Sequence, residues 1–235
     1  MGAHPEIEAA ERNFDDLLSN DATVRLKAAE YFSWLARDEG SDCRGEIFER
    51  EGTYEKLYPL LKDENKKIAC AIIAALGCGY LRYNQDPRVV DELVALYDST
   101  DKDILYMAVR WTAYMDTAKE YAKLSALLEK AKSQKLIEAI CEHFNDSPDD
   151  KANNLIQEAL LKKLGEVKNA YSIKTIVGTI LNTINDKNMI NLKTFVQKQP
   201  EEMRIRIIET VKDCKSSKRT AGEISGIVRE LVALQ

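Results

Sequence analysis

The sequence predicts an all-α fold built from antiparallel helix pairs stacked in series. Three observations predict it. Apolar residues recur at helical spacing, and no segment shows the period-2 alternation of a strand. Proline and glycine are scarce, 5 and 10 in 235 residues. Pro5, Pro87, Pro148 and Pro200 fall at or near proposed helix starts, where a missing N–H does no harm. A short pattern also returns along the chain, aligning Val24 with Ile68, 44 residues further on.

Taken in order, the first helix, 5–19, opens at Pro5 and closes on Leu17-Leu18. After the polar turn Ser19-Asn20-Asp21 comes helix 21–37, carrying Val24, Ala28 and Ala29. Helix 44–61 again closes on two leucines, Leu60-Leu61, and Pro59 near its end predicts a kink or an early stop. Asp63-Glu64-Asn65 leads into helix 64–81, with Ile68, Ala69 and Ala71. Helix 86–98 starts beside Pro87 and ends at Leu93-Val94-Ala95-Leu96, and Asp98–Asp103 turns into helix 102–116 at Ile104. Helix 118–131 holds Leu124 and Leu128, and Ser133 opens helix 133–145 with Leu136. Asn145-Asp146-Ser147 reads as a turn before Pro148, which starts helix 148–165 with Leu160-Leu161. Helix 168–184 carries Ile173, helix 186–198 closes on Phe195-Val196, Pro200-Glu201-Glu202 opens helix 200–214, and helix 218–234 is terminal. The recurring logic is packing. Two leucines end one helix against its partner, a short Asp or Asn side chain caps the next, and alanines let the helices approach closely.

Two leucines, a polar capping turn, a β-branched residue and small residues, as in Leu17 to Ala29 and Leu60 to Ile72, resemble the HEAT and armadillo repeats. Taking Val24, Ile68, Ile104, Leu136 and Ile173 as equivalent gives spacings of 44, 36, 32 and 37, in keeping with helix pairs of variable loop length. The resemblance implies an all-α right-handed α-α superhelix, a HEAT-like solenoid of about six antiparallel helix pairs plus a terminal helix. It further implies a single repeat domain over residues 1–235, with the second helices of successive pairs lining a concave groove.

Composition narrows the function. No run of 18 apolar residues exists, and the first residues lack the basic and apolar regions of a secretory signal, so a membrane role is not expected and the cytoplasm is. The five cysteines are odd in number, widely spaced and without a C-x-x-C, and they read as small buried hydrophobes rather than a disulfide framework or a metal site. Neither a metal nor a cofactor is expected. Charge is uneven. Residues 1–118 hold 23 acidic and 14 basic side chains, a balance of −9, whereas residues 119–235 hold 16 and 20, a balance of +4. Fourteen of the 17 aromatics lie at or before Tyr121. An acidic, aromatic-rich first half suits a protein partner with a basic surface and argues against nucleic acid there.

Candidate site residues follow from the repeat alignment. On helix 102–116, Ile104, Met107, Ala108, Trp111 and Met115 form a core stripe, while Tyr106, Arg110 and Tyr114 share another face at i, i+4 and i+8. An arginine between two tyrosines is expected to stack on them or to meet an acid, with Glu142 as the neighbour of choice. Equivalent positions are Leu26, Glu30 and Trp34, then Cys70, Ala74 and Cys78, then Glu138 and Glu142, then Thr175, Thr179 and Thr183. The expected groove has a small-residue saddle at Cys70, Ala74 and Cys78, walls of Trp34, Tyr106 and Tyr114, and Glu30, Arg110 and Glu142 on its floor. A second candidate is the loop Gly77–Gln85, whose Tyr80, Arg82 and Tyr83 have interface composition, or else pack locally.

No constellation demands chemistry, so a non-enzymatic protein–protein interaction module is the leading reading. Its narrower forms are an immunity or antitoxin protein and an assembly scaffold. The alternative is a DNA glycosylase for alkylated bases, since one such bacterial family has HEAT-like repeats. Its Trp, Asp and Arg would correspond here to Trp111, Asp116 and Arg110. That reading meets an acidic surface where a cationic one is needed.

Overall fold

The computed structural model describes residues 5–38, 43–115, 120–145, 150–185, 188–214 and 218–233. Asp116, Asp146, Ser147 and Pro148 lie outside the described residues. All regular structure among the described residues is helical. The chain falls into two compact units, Met1–Ala118 and Lys119–Gln235. That division coincides with the reversal of charge in the sequence.

In the first unit, α1 (Pro5–Asp16) pairs with α2 (Ala22–Arg37) through Phe14 and Phe32, whose ring centroids lie 4.4 Å apart. The first helix of the second pair is divided into α3 (Arg44–Glu49), α4 (Thr53–Leu57) and a 3-10 turn, Tyr58–Lys62. It pairs with α5 (Lys66–Arg82), and α6 (Pro87–Ala95) pairs with α7 (Lys102–Thr112). The second helices α2, α5 and α7 pack side by side. In the second unit, α8 (Tyr121–Lys130) and α9 (Gln134–Asn145), α10 (Asp150–Glu166) and α11 (Ala170–Thr183), and α12 (Met189–Gln197) and α13 (Glu201–Asp213) form pairs. Helix α14 (Ala221–Val232) packs on α12 and α13, and α9, α11 and α13 lie in series. Six pairs and a terminal helix therefore stand among the described residues, as the periodicity predicts.

The repeating turn chemistry explains the register. Asp21 accepts from the Thr23 amide at 2.7 Å, Asn65 from Lys67 at 3.1 Å, Asp101 from Asp103 at 2.9 Å, and Asn169 from Ser172 at 2.7 Å. Each satisfies an N–H that the first turn of a helix leaves open, worth about 0.5–2 kcal/mol. Arg25 joins successive pairs, donating to Asp63 at 2.8 Å and to the Ser19 carbonyl at 2.9 Å. Burial pushes the Asp63 carboxyl up, but Arg25 and the Asn65 amide outweigh it and hold the group below the usual carboxylate range.

Three expectations need correction. Helix 44–61 is broken because Gly52 takes φ 85°, a left-handed conformation that ends the run between α3 and α4. Pro59 then sits at the start of the 3-10 turn, where it gives up no helical hydrogen bond. The stretch Gly77–Gln85, which reads as a loop although helix 64–81 reaches into it, is helical as far as Arg82, and its glycines serve packing. A Cβ at Gly77 would lie 2.7 Å from Trp111 ring carbons, and one at Gly79 would lie 3.0 Å from Phe48 and from the Tyr54 oxygen. Helix 102–116 ends early, at Thr112, with a tightened last turn in which the Met115 amide donates to the Thr112 carbonyl at 3.1 Å.

Candidate functional site

The candidate face in the first unit is the row α2–α5–α7. Its centre is set by small side chains. Ala74 is 5% exposed, Cys70 is half-buried, and the Cys78 thiol donates to the Ala36 carbonyl at 3.1 Å, fastening α5 closely to α2. On the α2 side, Trp34 is 50% exposed beside Tyr31, with ring centroids 5.9 Å apart, and Glu30 lies exposed one turn earlier. On the α7 side, Tyr114 is 52% exposed and Tyr106 is half-buried. Arg110 is exposed and donates from Nη1 to the Tyr106 phenol oxygen at 2.9 Å. The arginine thus meets a tyrosine of its own helix as a hydrogen-bond acceptor.

A large, half-exposed indole on α2 and a half-exposed phenol just past the end of α7 are costly to leave in water. Trp111, in contrast, packs against Gly77, with its Nε1 buried and without a hydrogen-bond partner among the described residues. Its ring belongs to the α5–α7 contact, in keeping with the core stripe.

Glu138 and Glu142 belong to the second unit. Both are half-buried on α9, and Glu138 accepts a hydrogen bond from the Tyr171 hydroxyl, which raises the phenol's pKa. Thr179 and Thr183, aligned with them, are buried and return their hydroxyls to the carbonyls of Thr175 and Thr179, at 3.1 and 2.9 Å. They hold the interior of α11 and present no surface.

The second candidate, around α5's end, packs locally. Tyr80 is 6% exposed, so its ring is not presented to a partner. Tyr83 stacks on Phe48, with centroids 5.5 Å apart and planes at 11°, and Arg82 caps the end of α2 by donating to the Arg37 carbonyl at 3.0 Å.

Sequence reasoning missed the two open clefts along α13 and α14. One, of about 390 Å³, is floored by Ile208 and bordered by Ile205 and Val232, and the other, of about 670 Å³, runs between Lys212 and Arg229 over Ala221, Gly222 and Ser225. The signal was Ile205 and Ile208 among Glu201, Arg204, Glu209 and Lys212 at helical spacing.

Residues 54–152 match the family model of HEAT repeats. Solved structures similar to this chain include an engineered protein at 17% identity, covering 96% of this chain and 97% of that one with a TM-score of 0.66. A designed armadillo repeat protein in complex with the peptide (KR)4 matches at 17% identity, 95% and 98% coverage and a TM-score of 0.58. The complex of CpcE and CpcF of phycocyanin lyase from Nostoc sp. PCC7120 matches at 14% identity, 96% and 88% coverage and a TM-score of 0.52. The fold is HEAT/armadillo-like. No curated protein matches. Among the described residues, Trp34 on α2, Tyr114 just past the end of α7 and Tyr171 on α11 are the half-exposed aromatics, and no helix is long and apolar enough to cross a membrane.

Proposed function

We propose that the chain is a non-enzymatic protein-interaction module that holds a basic peptide segment on the α2–α5–α7 face. The observation carrying this reading is the pair of half-exposed aromatics, Trp34 at 50% on α2 and Tyr114 at 52% just past the end of α7, either side of the small-residue saddle of α5. Buried-interface energy concentrates on Trp, Tyr and Arg, the types found here in Trp34, Tyr106, Arg110 and Tyr114. The balance of −9 over residues 1–118 supplies attraction for a basic segment and accelerates its encounter. The similar designed armadillo repeat protein was solved with a (KR)4 peptide, which supports the kind of partner. A narrower form, an immunity or antitoxin protein that occludes a basic partner, rests on the same acidic face, as does a scaffold role. The cytoplasm remains the expected compartment, and five free cysteines support it.

Fluorescence anisotropy with a labelled (KR)4 peptide at low salt tests the reading. Trp34→Ala should weaken binding about thirtyfold, the loss of a hot-spot aromatic. Glu30→Lys should weaken it less and flatten its salt dependence. Absence of binding, or equal affinity in wild type and Trp34→Ala, would overturn the assignment of this face.

A further inference from the structure

On α13, Glu201, Arg204, Ile205, Ile208, Glu209 and Lys212 line one cleft, and their helical spacing puts them on one side of the helix. Ile205 protrudes, 41% exposed, while Ile208 is 3% exposed at the cleft floor and Val232 of α14 stands beside it, 40% exposed. None of the four charged side chains makes an ion pair or hydrogen bond among the described residues, and Arg204 Nε is buried without a partner. Nearby, Lys193 pairs with Glu230 and Arg219 with Glu223.

The order of these residues is antisymmetric about the midpoint between 206 and 207. Working inward from either end, Glu201 matches Lys212, Arg204 matches Glu209, and Ile205 matches Ile208. Each charged residue is matched by its opposite and each apolar residue by its like. Two antiparallel copies of a helix related by a two-fold axis place residues equidistant from the midpoint at the same level. Parallel copies would instead set Glu201 against Glu201 and Lys212 against Lys212.

We propose that this face is an isologous dimer interface, in which α13 packs antiparallel against α13 of a second copy of the chain. Ile205 then enters the other copy's cleft over Ile208 and beside Val232, a knob meeting a hole twice by symmetry. Glu201 and Lys212 close both ends of the contact line, and Arg204 comes level with Glu209. The contact is small, so the dimer is weak and grows in with concentration. This inference does not depend on the peptide-binding reading, which concerns the first unit.

Sedimentation velocity over a concentration series at low salt tests it on the whole chain. The wild type should pass from monomer to dimer. Glu201→Lys and Lys212→Glu, both surface changes whose fold circular dichroism can verify, each juxtapose like charges at both ends. Each should raise the dimer Kd at least about tenfold. Mixing the two variants should restore association, because in the mixed pair both ends again join opposite charges. The double variant should dimerise like the wild type. A wild type that stays monomeric to about 0.5 mM, well above the range of specific association, would overturn the proposal. So would a dimer indifferent to the single changes, or a mixture that stays monomeric.

Discussion

At Gly77 two opposite expectations compete for a single hydrogen-to-methyl change. Glycine within a helix costs about 1 kcal/mol relative to alanine, so Gly77→Ala on an isolated helix would stabilise. In the folded chain the new Cβ would lie 2.7 Å from two carbons of the Trp111 ring and 2.8 Å from a third. A ring held between α5 and α7 cannot retreat cheaply, and overpacking of this kind costs about 1–3 kcal/mol. Gly77→Ala should therefore lower the urea midpoint, while Gly226→Ala, with nothing within 4 Å of its added carbon, should leave it unchanged or raise it. A raised midpoint for Gly77→Ala would show that Trp111 is free to move. The cysteines make the complementary point. Burial pushes the Cys141 thiol up to about 12, so it stays protonated and behaves as a small apolar side chain. Arg110 shows where residue-level reasoning fails. Its pattern with Tyr106 is visible in the sequence, but whether the phenol offers its ring or its oxygen depends on rotamers that neighbouring elements select.

The helices are joined by polar side chains that reach across to the open carbonyls of a neighbour's last turn. Lys163 on α10 is the most buried example, with its side chain 5% exposed. Its Nζ donates to the carbonyls of Glu129 and Ala131 at the end of α8, at 2.8 and 3.2 Å, and to the Glu166 carboxylate at 2.7 Å. Arg219 does the same for Leu181 at the end of α11, at 3.1 Å. Lys163→Met keeps the packing volume but leaves those carbonyls without a donor. It should cost about 2–3 kcal/mol in chemical unfolding. Lys162→Met, which removes only an exposed pair with Glu129, should change stability by less than about 0.5 kcal/mol. Equal effects would mean that water replaces the Lys163 donor. At this scale the sequence marks helices well and breaks poorly. Periodicity shows helix 44–61 as continuous, because Gly52 has no apolar side chain whose displacement would disturb the pattern.

Across the whole molecule, charge and fold share a boundary. The acidic residues 1–118 and the basic residues 119–235 are also the two compact units. Stability should follow the carboxylates that the fold employs. Asp63, with its side chain 5% exposed, and Asp86, which its hydrogen bond to Arg88 holds down, both have carboxyls below the usual range. The folded value being the lower one, this contribution is complete above the unfolded pKa of about 4 and is lost as pH falls through the folded value. Thermal stability should thus be flat from about pH 5 to 7 and decline below about pH 4. Asp63→Asn should flatten that decline by removing one of the titrating groups. An unchanged acid slope in Asp63→Asn would remove Asp63 from the account.

The sequence by itself determined the helical class, the pairing of helices, the capped turns and the charge reversal. Each of these is a local property, since a cap needs only its own next two or three residues and an amphipathic face needs only period. It also marked Trp34, Tyr106, Arg110 and Tyr114, because repeat alignment carries a residue to its equivalent on the next helix. Tertiary structure decided which aromatics remain exposed. Tyr80 and Trp34 are both aromatics of interface type, yet one is 6% and the other 50% exposed. It also decided which rings Gly77 and Gly79 pack against, and that α13 keeps an open, charge-matched face. Exposure depends on what a neighbouring helix covers, and that is a property of packing between segments distant in sequence, which no local window contains.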